Sequence, residues 1–526
     1  MTKGHAGDSL RGVRVAVVGA GLAGLTAAWR LAGRGAAVRI FEARFRLGGR
    51  VWTRRDAALA PFHAEAGGDL IEEEHEEIRQ VARDLGLRLE RVLRSGFGLS
   101  IELGGRRRTL GGQSRFWREL RGVFRPAADA LRQVDGDWNS AAAAALASHS
   151  VSEMLRARRA SPRMHQLVKA FRGFYLADPG DLSALVLAEQ TLSPEDPGAA
   201  RMFRIRGGND RLVDRLADAI GRRRITSGAA VVRVSQGAEG VRLGVRDRAG
   251  RISDYRCDYA VLAVPAPLLL TLRADPPWPP LQLRAWRGLA DGAATKLLIR
   301  FDEAWWRRRG RPRAYGTDLP VGAVWDAAEE QRDAAVLTLL AGGTASTACR
   351  ELLAREGVEG VLRQLTWLGQ VPHGPARAVA VSWEEEAWSR GAYAYFSSGF
   401  EPAWRDWLAQ PYGHLLFAGE HTSVPAQGYM NGAVESGMRA ANELEALDRA
   451  RRWTGERPAI SLQSPRRVRV PSAGATTGHG ISPRSSSLDV SAGALVPAAS
   501  RACSLRRWLA MPPLRPASRA SSLVHS

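Results

Sequence analysis

Several residues in this chain have types and spacings that suit chemistry. Gly19, Ala20, Gly21 and Gly24 stand at G-x-G-x-x-G spacing, and Glu42 follows. Glycines so placed let a chain turn tightly and bring backbone N–H groups against a pyrophosphate at the positive end of a helix. An acid about 20 residues further on can accept from both hydroxyls of a ribose. Ala43, Arg44, Gly48, Gly49 and Arg50 continue the pattern, and two arginines flanking a glycine pair add charge-assisted donors for the same pyrophosphate. The alternative is an arginine-rich surface turn. A different chemistry is implied by Lys296. Of 75 basic residues only Lys3, Lys169 and Lys296 are lysine, so a lysine marks a place where arginine has not substituted. Lys296 lies in the apolar run Ala294 to Phe301, where burial would alter its charge readily; snorkelling to solvent is the competing role.

These residues need elements to hold them. Val15 to Val18 read as a buried parallel strand, Leu25, Ala28, Trp29 and Leu31 as one helical face, and Val38 to Phe41 as a second strand ending at Glu42. Gly67 and Gly68 precede the apolar Leu70 and Ile71, as expected where backbone passes close to a flat group. The acidic block Glu72 to Glu77 opens a helix closed by Gly86. From Leu89 to Pro197 strand signals are few, and helices are expected around Ala141 to Ala145 and on Met164, Leu167, Val168 and Phe171. His165 and Lys169 share that last helix and read as structural or solvated. Leu212, Val213, Leu216 and Ile220 mark a helix ending at Gly221, with strands at 229–234, 241–245 and 258–264 and an alternating strand over Ala294 to Phe301. An aromatic loop (Trp388 to Phe396), a strand into Gly419-Glu420, and a helix beginning near Asn431 complete the set.

Together the two ends of this pattern, Val13 to Arg50 and Trp388 to Gly437, resemble the flavin amine oxidase family of monoamine, polyamine and L-amino-acid oxidases, over roughly residues 10 to 450. The resemblance implies an α/β fold: a Rossmann-like FAD-binding domain of discontinuous segments (10–88, 205–266, 389–450) with an interleaved α+β substrate domain (89–204, 267–388). It implies FAD contacts at Gly19, Ala20, Gly21, Gly24, Glu42, Ala43, Arg44, Gly49, Arg50, Gly67, Gly68, Gly419, Glu420, Met430 and Ala433, and adenine contact through the Val231 backbone. The helix start near Asn431 would face the ring edge that becomes negative on reduction. Lys296 matches the family lysine linked through water to flavin N5. Tyr393 and Tyr429 match the aromatic cage that desolvates an amine and aims its C–H bond. Monoamine oxidases carry a flavin-bonded cysteine where this chain has Ala392, so the FAD is expected to be non-covalent. The implied reaction is oxidation of an amine C–N bond to an imine, with O2 as acceptor and hydrogen peroxide released. An L-amino-acid oxidase, which needs an arginine for the substrate carboxylate, and a flavin desaturase or porphyrinogen-type oxidase, which needs no tyrosine pair, are the alternatives.

Composition bounds the rest. A chain of 526 residues with 45% apolar content calls for more than one domain. The net charge is +21, but residues 451–526 contain twelve Arg against Glu456 and Asp489. That Ser-, Pro-, Ala- and Arg-rich stretch reads as a disordered basic tail. A flavoprotein that binds nucleic acid through the tail is therefore the reading from another class, and is set aside. Cys257, Cys349 and Cys503 are too few for a disulfide framework. No secretory leader and no membrane span are expected, nor a metal. The expected setting is a soluble, cytoplasmic enzyme whose partners are a small amine or amino acid and O2, with a homodimer left open.

Overall fold

The computed structural model describes residues 8–111, 114–191, 201–372 and 377–454. Its nucleotide half is built on a five-stranded parallel sheet in the spatial order Ile225–Ser227, Ala37–Glu42, Arg14–Val18, Tyr259–Leu262 and Leu415–Phe417. Strands buried on both faces need continuous apolar runs, and Val15 to Val18 and Tyr259 to Leu262 are such runs, all buried. The crossover between the first two strands is the helix Leu22–Ala32. Gly19 enters it with φ +98°, and a Cβ there would meet the Ala263 carbonyl at 2.8 Å, so the turn demands glycine. The helix Met430–Thr454 packs along Leu22–Ala32, with Gly437 set against the Ala23 carbonyl and Arg34 donating to the Ala441 carbonyl at 2.8 Å. A sheet assembled from residues 14–42, 225–262 and 415–417 is α/β and discontinuous in sequence.

The second half is organised on a seven-stranded sheet in the order Arg377–Ser382, Ala294–Arg300, Val336–Gly342, Ala323–Asp326, Ala314–Thr317, Phe97–Leu103 and Arg106–Gly111. Two of these strands lie in 89–204, where few strand signals were expected between the helices. Phe97, Leu99, Ile101 and Leu103 alternate at period two, and Gly104 and Gly105 turn the chain at φ +58° and +73° into the return strand. Leu89–Val92 also pairs as a strand, with Met202–Ile205. The expected helices are present beyond it, Ala141–Ala147 capped by Ser140 and Pro162–Lys169 capped by Ser161. Lys169 is exposed on the latter. The acidic block also divides: Glu72 ends a short strand, and the helix runs Glu76–Asp84. Ala294–Arg300 is not alternating in burial, because six of its seven residues are buried between neighbouring strands and the packing on both faces.

The last helix continues to Thr454, four residues into the stretch expected to be tail. The remainder of that tail, Lys3 and Cys503 lie outside the described residues. No described helix is long and apolar enough to cross a membrane.

Candidate functional site

One elongated cavity of about 400 Å³ runs from the first crossover to the seven-stranded sheet. At one end stand Gly19, Gly21, Glu42, Ala43, Arg44, Gly49 and Arg50, with Val231 beside them; at the other stand Lys296, Tyr393 and Tyr429. Gly67, Gly68, Gly419, Glu420, Met430 and Ala433 line it between the two. Ala20 and Gly24 are the two expected contacts that do not reach the wall. Ala20 N–H donates to Glu42 Oε2 at 2.8 Å, and a Cβ on Gly24 would run into the Gly19 carbonyl. Their work is to close the turn and to let helix and strand approach.

The cradle fits a dinucleotide on its own geometry. Nothing lies within 4 Å of a Cβ built on Gly21, so the backbone there faces open space that a phosphate can approach. Glu42 accepts from Ala20 N–H at one oxygen and from Arg44 N–H, also at 2.8 Å, at the other, which fixes its carboxylate and leaves a lone pair on each oxygen for a hydroxyl. Arg44 is fastened to Glu386 and to Ser389 Oγ, at 2.8 Å from the latter. Arg50 Nη2 pairs with Glu420 Oε1 at 3.1 Å, while its Nη1 is buried with no partner within the protein. A buried unpaired guanidinium nitrogen beside a glycine-lined cleft calls for an anionic ligand.

Glu420 does more than the sequence suggested. Its Oε1 accepts from Ala394 N–H at 3.2 Å, and its Oε2 accepts from Gly428 N–H at 2.8 Å. One carboxylate thus ties together the loops that carry Tyr393 and Tyr429 and joins both to Arg50. The Tyr393 hydroxyl donates to the Phe174 carbonyl, and its phenol is pushed upward by burial and so stays neutral. The Tyr429 ring packs edge-on against His75 with centroids 4.8 Å apart. Asn431 Oδ1 accepts from Ile78 N–H at 2.9 Å and its Nδ2 donates to Glu77 at 2.6 Å, which docks the start of the last helix. A Cβ on Gly68 would lie 2.8 Å from Met430 Sδ.

Lys296 faces a constellation that sequence reasoning missed. Its Nζ donates to the Gly67 carbonyl and to Asp69 Oδ2, both at 3.0 Å, and lies 5.1 Å from the centre of the Trp325 ring. Asp69 Oδ2 also accepts from Trp325 Nε1 at 3.0 Å, and Oδ1 accepts from Arg204 Nε at 2.6 Å. Burial favours the neutral Asp69 carboxyl, but Arg204 and Lys296 outweigh it and hold the group below the usual carboxylate range. Burial lowers Lys296 from its ordinary value, against the pull of Asp69. Glu65 is pushed up to about 8 by burial and by Asp69. The available signal was an aspartate set in the apolar run after Gly68; Arg204 was hidden by the abundance of arginine. Phe174, Leu176, Gln190, Leu340, Phe396 and Arg405 also line the cavity.

With that geometry established, comparison with known proteins is decisive. The family model described as flavin containing amine oxidoreductase matches residues 22–444. The chain belongs to that family. It is 26% identical to pig amine oxidase [flavin-containing] B over 458 residues, covering 82% of this chain and 85% of the relative. The bovine counterpart is 26% identical over 492 residues, covering 88% and 91%. Among solved structures, cyclohexylamine oxidase from Brevibacterium oxydans IH-35A superposes with a TM-score of 0.72 at 25% identity, covering 82% of this chain and 99% of that one. This flavin amine oxidoreductase therefore has the Rossmann-like α/β architecture of its relatives and takes a flavin cofactor.

Proposed function

We propose that the protein oxidises a small amine at its C–N bond to an imine, using non-covalently held FAD and O2 and releasing hydrogen peroxide. The observation that carries this reading is the placement of Lys296, Tyr393 and Tyr429 on the wall of the same cavity as the glycine cradle. Bound at that cradle, FAD supplies the two-electron acceptor and its reoxidation by O2. The residues named in the sequence would hold it, with Arg50 and the first crossover at the pyrophosphate, Glu42 at the ribose, and the backbone around Val231 at the adenine. The tyrosine rings replace water around the amine with aromatic faces, which suit a nitrogen that becomes cationic. Lys296 provides a hydrogen-bond donor at the buried end. Imine hydrolysis then gives a carbonyl compound and ammonia or a smaller amine.

Ala392 lines the cavity and offers no nucleophile. Acid precipitation is therefore expected to leave the flavin in the supernatant; flavin retained in the pellet would contradict non-covalent binding. A peroxide-coupled screen of monoamines, diamines and amino acids on purified protein tests the reaction, and no peroxide from any amine would sink it. A second reading, an L-amino-acid oxidase, is favoured by one observation. Arg405 lines the cavity, donates to the Val424 carbonyl at 2.9 Å and stacks 3.9 Å over Trp138. In the same screen, activity confined to amino acids and lost in Arg405→Met would select it.

A further inference from the structure

We infer that Asp69 is a positioning residue for Lys296: its carboxylate keeps the lysine side chain on the cavity wall as an ammonium, so that the site is offered an N–H donor and not a lone pair. This rests on the reading that Lys296 takes part in amine oxidation, and it adds the partner that sets its protonation state.

An ammonium has three donors. Two are engaged, by the Gly67 carbonyl and by Asp69 Oδ2, each at 3.0 Å, and the third remains for a group in the cavity. A neutral amine would spend both of its N–H groups on the same two acceptors and turn a lone pair to the site instead. Which form exists is decided by the charges that face Nζ. The strands on either side of the lysine strand place Leu340 and Val381 opposite it in register, so neither contributes charge there. Asp69 is the anion in contact. Arg204 is the nearby cation, held by Asp69 Oδ1 and by Glu330 Oε2 at 3.0 Å. Glu65 is pushed up to about 8 by burial and by Asp69, so it keeps its proton while Asp69 is ionised; Asp69→Asn is therefore read in a Glu65→Gln background, where Glu65 cannot replace the lost charge. Two cations, Lys296 and Arg204, are thus balanced by Asp69 and Glu330. With Asp69 neutralised, two buried cations would share one carboxylate. The arginine cannot release its proton, so the lysine would.

The scarcity of lysine makes this directly measurable. In holoenzyme labelled with 13C at lysine Cε, three side-chain signals are expected, and Lys296→Met assigns one of them by its disappearance. In the wild type the Lys296 signal should be that of an ammonium at pH 7, and in Asp69→Asn its titration midpoint should move clearly downward. The alkaline limb of the pH profile for flavin reduction by amine should move down with it and be absent from Lys296→Met. An unchanged midpoint in Asp69→Asn overturns the inference. So does a wild-type Lys296 that is already neutral at pH 7, a result that needs no variant to fold. Wild-type rates and pH profile in Lys296→Met would instead overturn the role of the lysine, while the signal shift would still judge Asp69.

Discussion

Glu420 shows how few atoms hold this site in order. Its two oxygens receive the backbone of both tyrosine-bearing loops and the guanidinium of Arg50. Charge-assisted bonds of this kind are roughly twice as strong as neutral ones. Glu420→Gln keeps the shape and removes the charge, so flavin affinity should fall by at least about tenfold and the Michaelis constant for amine should rise with it, measured by flavin titration and steady-state kinetics. Lys296→Met should slow turnover while leaving the flavin content intact; unchanged kinetics would remove the lysine from the reaction. Glu65 offers a stability test. Its carboxyl is raised from the ordinary 4.5 to about 8 in the folded protein. A raised value means that the folded state favours the protonated form. The associated stability is full below the ordinary value and is lost as pH rises toward 8. The melting temperature should therefore drop between about pH 4.5 and 8 in the wild type, and Glu65→Gln should flatten that drop. At this scale the sequence was legible where a residue type is rare or constrained. Lysine among arginines and glycine in a tight turn announced themselves. Asp69, Arg204 and Trp325 did not, because their importance lies in meeting across 256 residues of chain.

Among the elements, the first crossover is set by contact distance as much as by phosphate chemistry. A Cβ on Gly24 has no room beside the Gly19 carbonyl, so Gly24→Val should yield protein that binds little or no FAD, seen as loss of the flavin absorbance on purification. Retained absorbance would show that the helix can move away from the strand without harm. Elements with a strong internal period were readable from sequence alone: the strand Arg14–Val18, the helix Leu22–Ala32 and the amphipathic helix Asp210–Ile220 with its closing Gly221. The hairpin Phe97–Leu103 with Arg106–Gly111 was not. Its second strand, Arg-Arg-Arg-Thr-Leu-Gly, carries no apolar alternation, since it sits at the sheet edge where one side has no partner strand.

At the scale of the molecule, the cavity takes its walls from both sheets and from at least three separated stretches of chain. A ligand bound there links parts that are otherwise joined by side-chain contacts such as Trp383 Nε1 to the Ala66 carbonyl at 3.0 Å. Binding to the folded state alone raises stability by mass action. FAD-depleted protein should therefore melt several degrees lower than holoprotein, and calorimetry with added FAD should recover the difference.

The pairing of the last helix with the first has a consequence for how the protein is made. The strand Arg14–Val18 and the helix Leu22–Ala32 leave the ribosome long before some of the parts that cover them. One sheet neighbour, Ala37–Glu42, follows at once, but the strand on the other side emerges only with Tyr259–Leu262, and the helix that covers Ala23 and Ala27 ends at Thr454. Until then the face of the first crossover that meets Met430–Thr454 is uncovered, and such faces are prone to aggregate. Cofactor capture consequently waits for residues 415–454, and nascent chains released before residue 430 should be found with chaperones and without flavin.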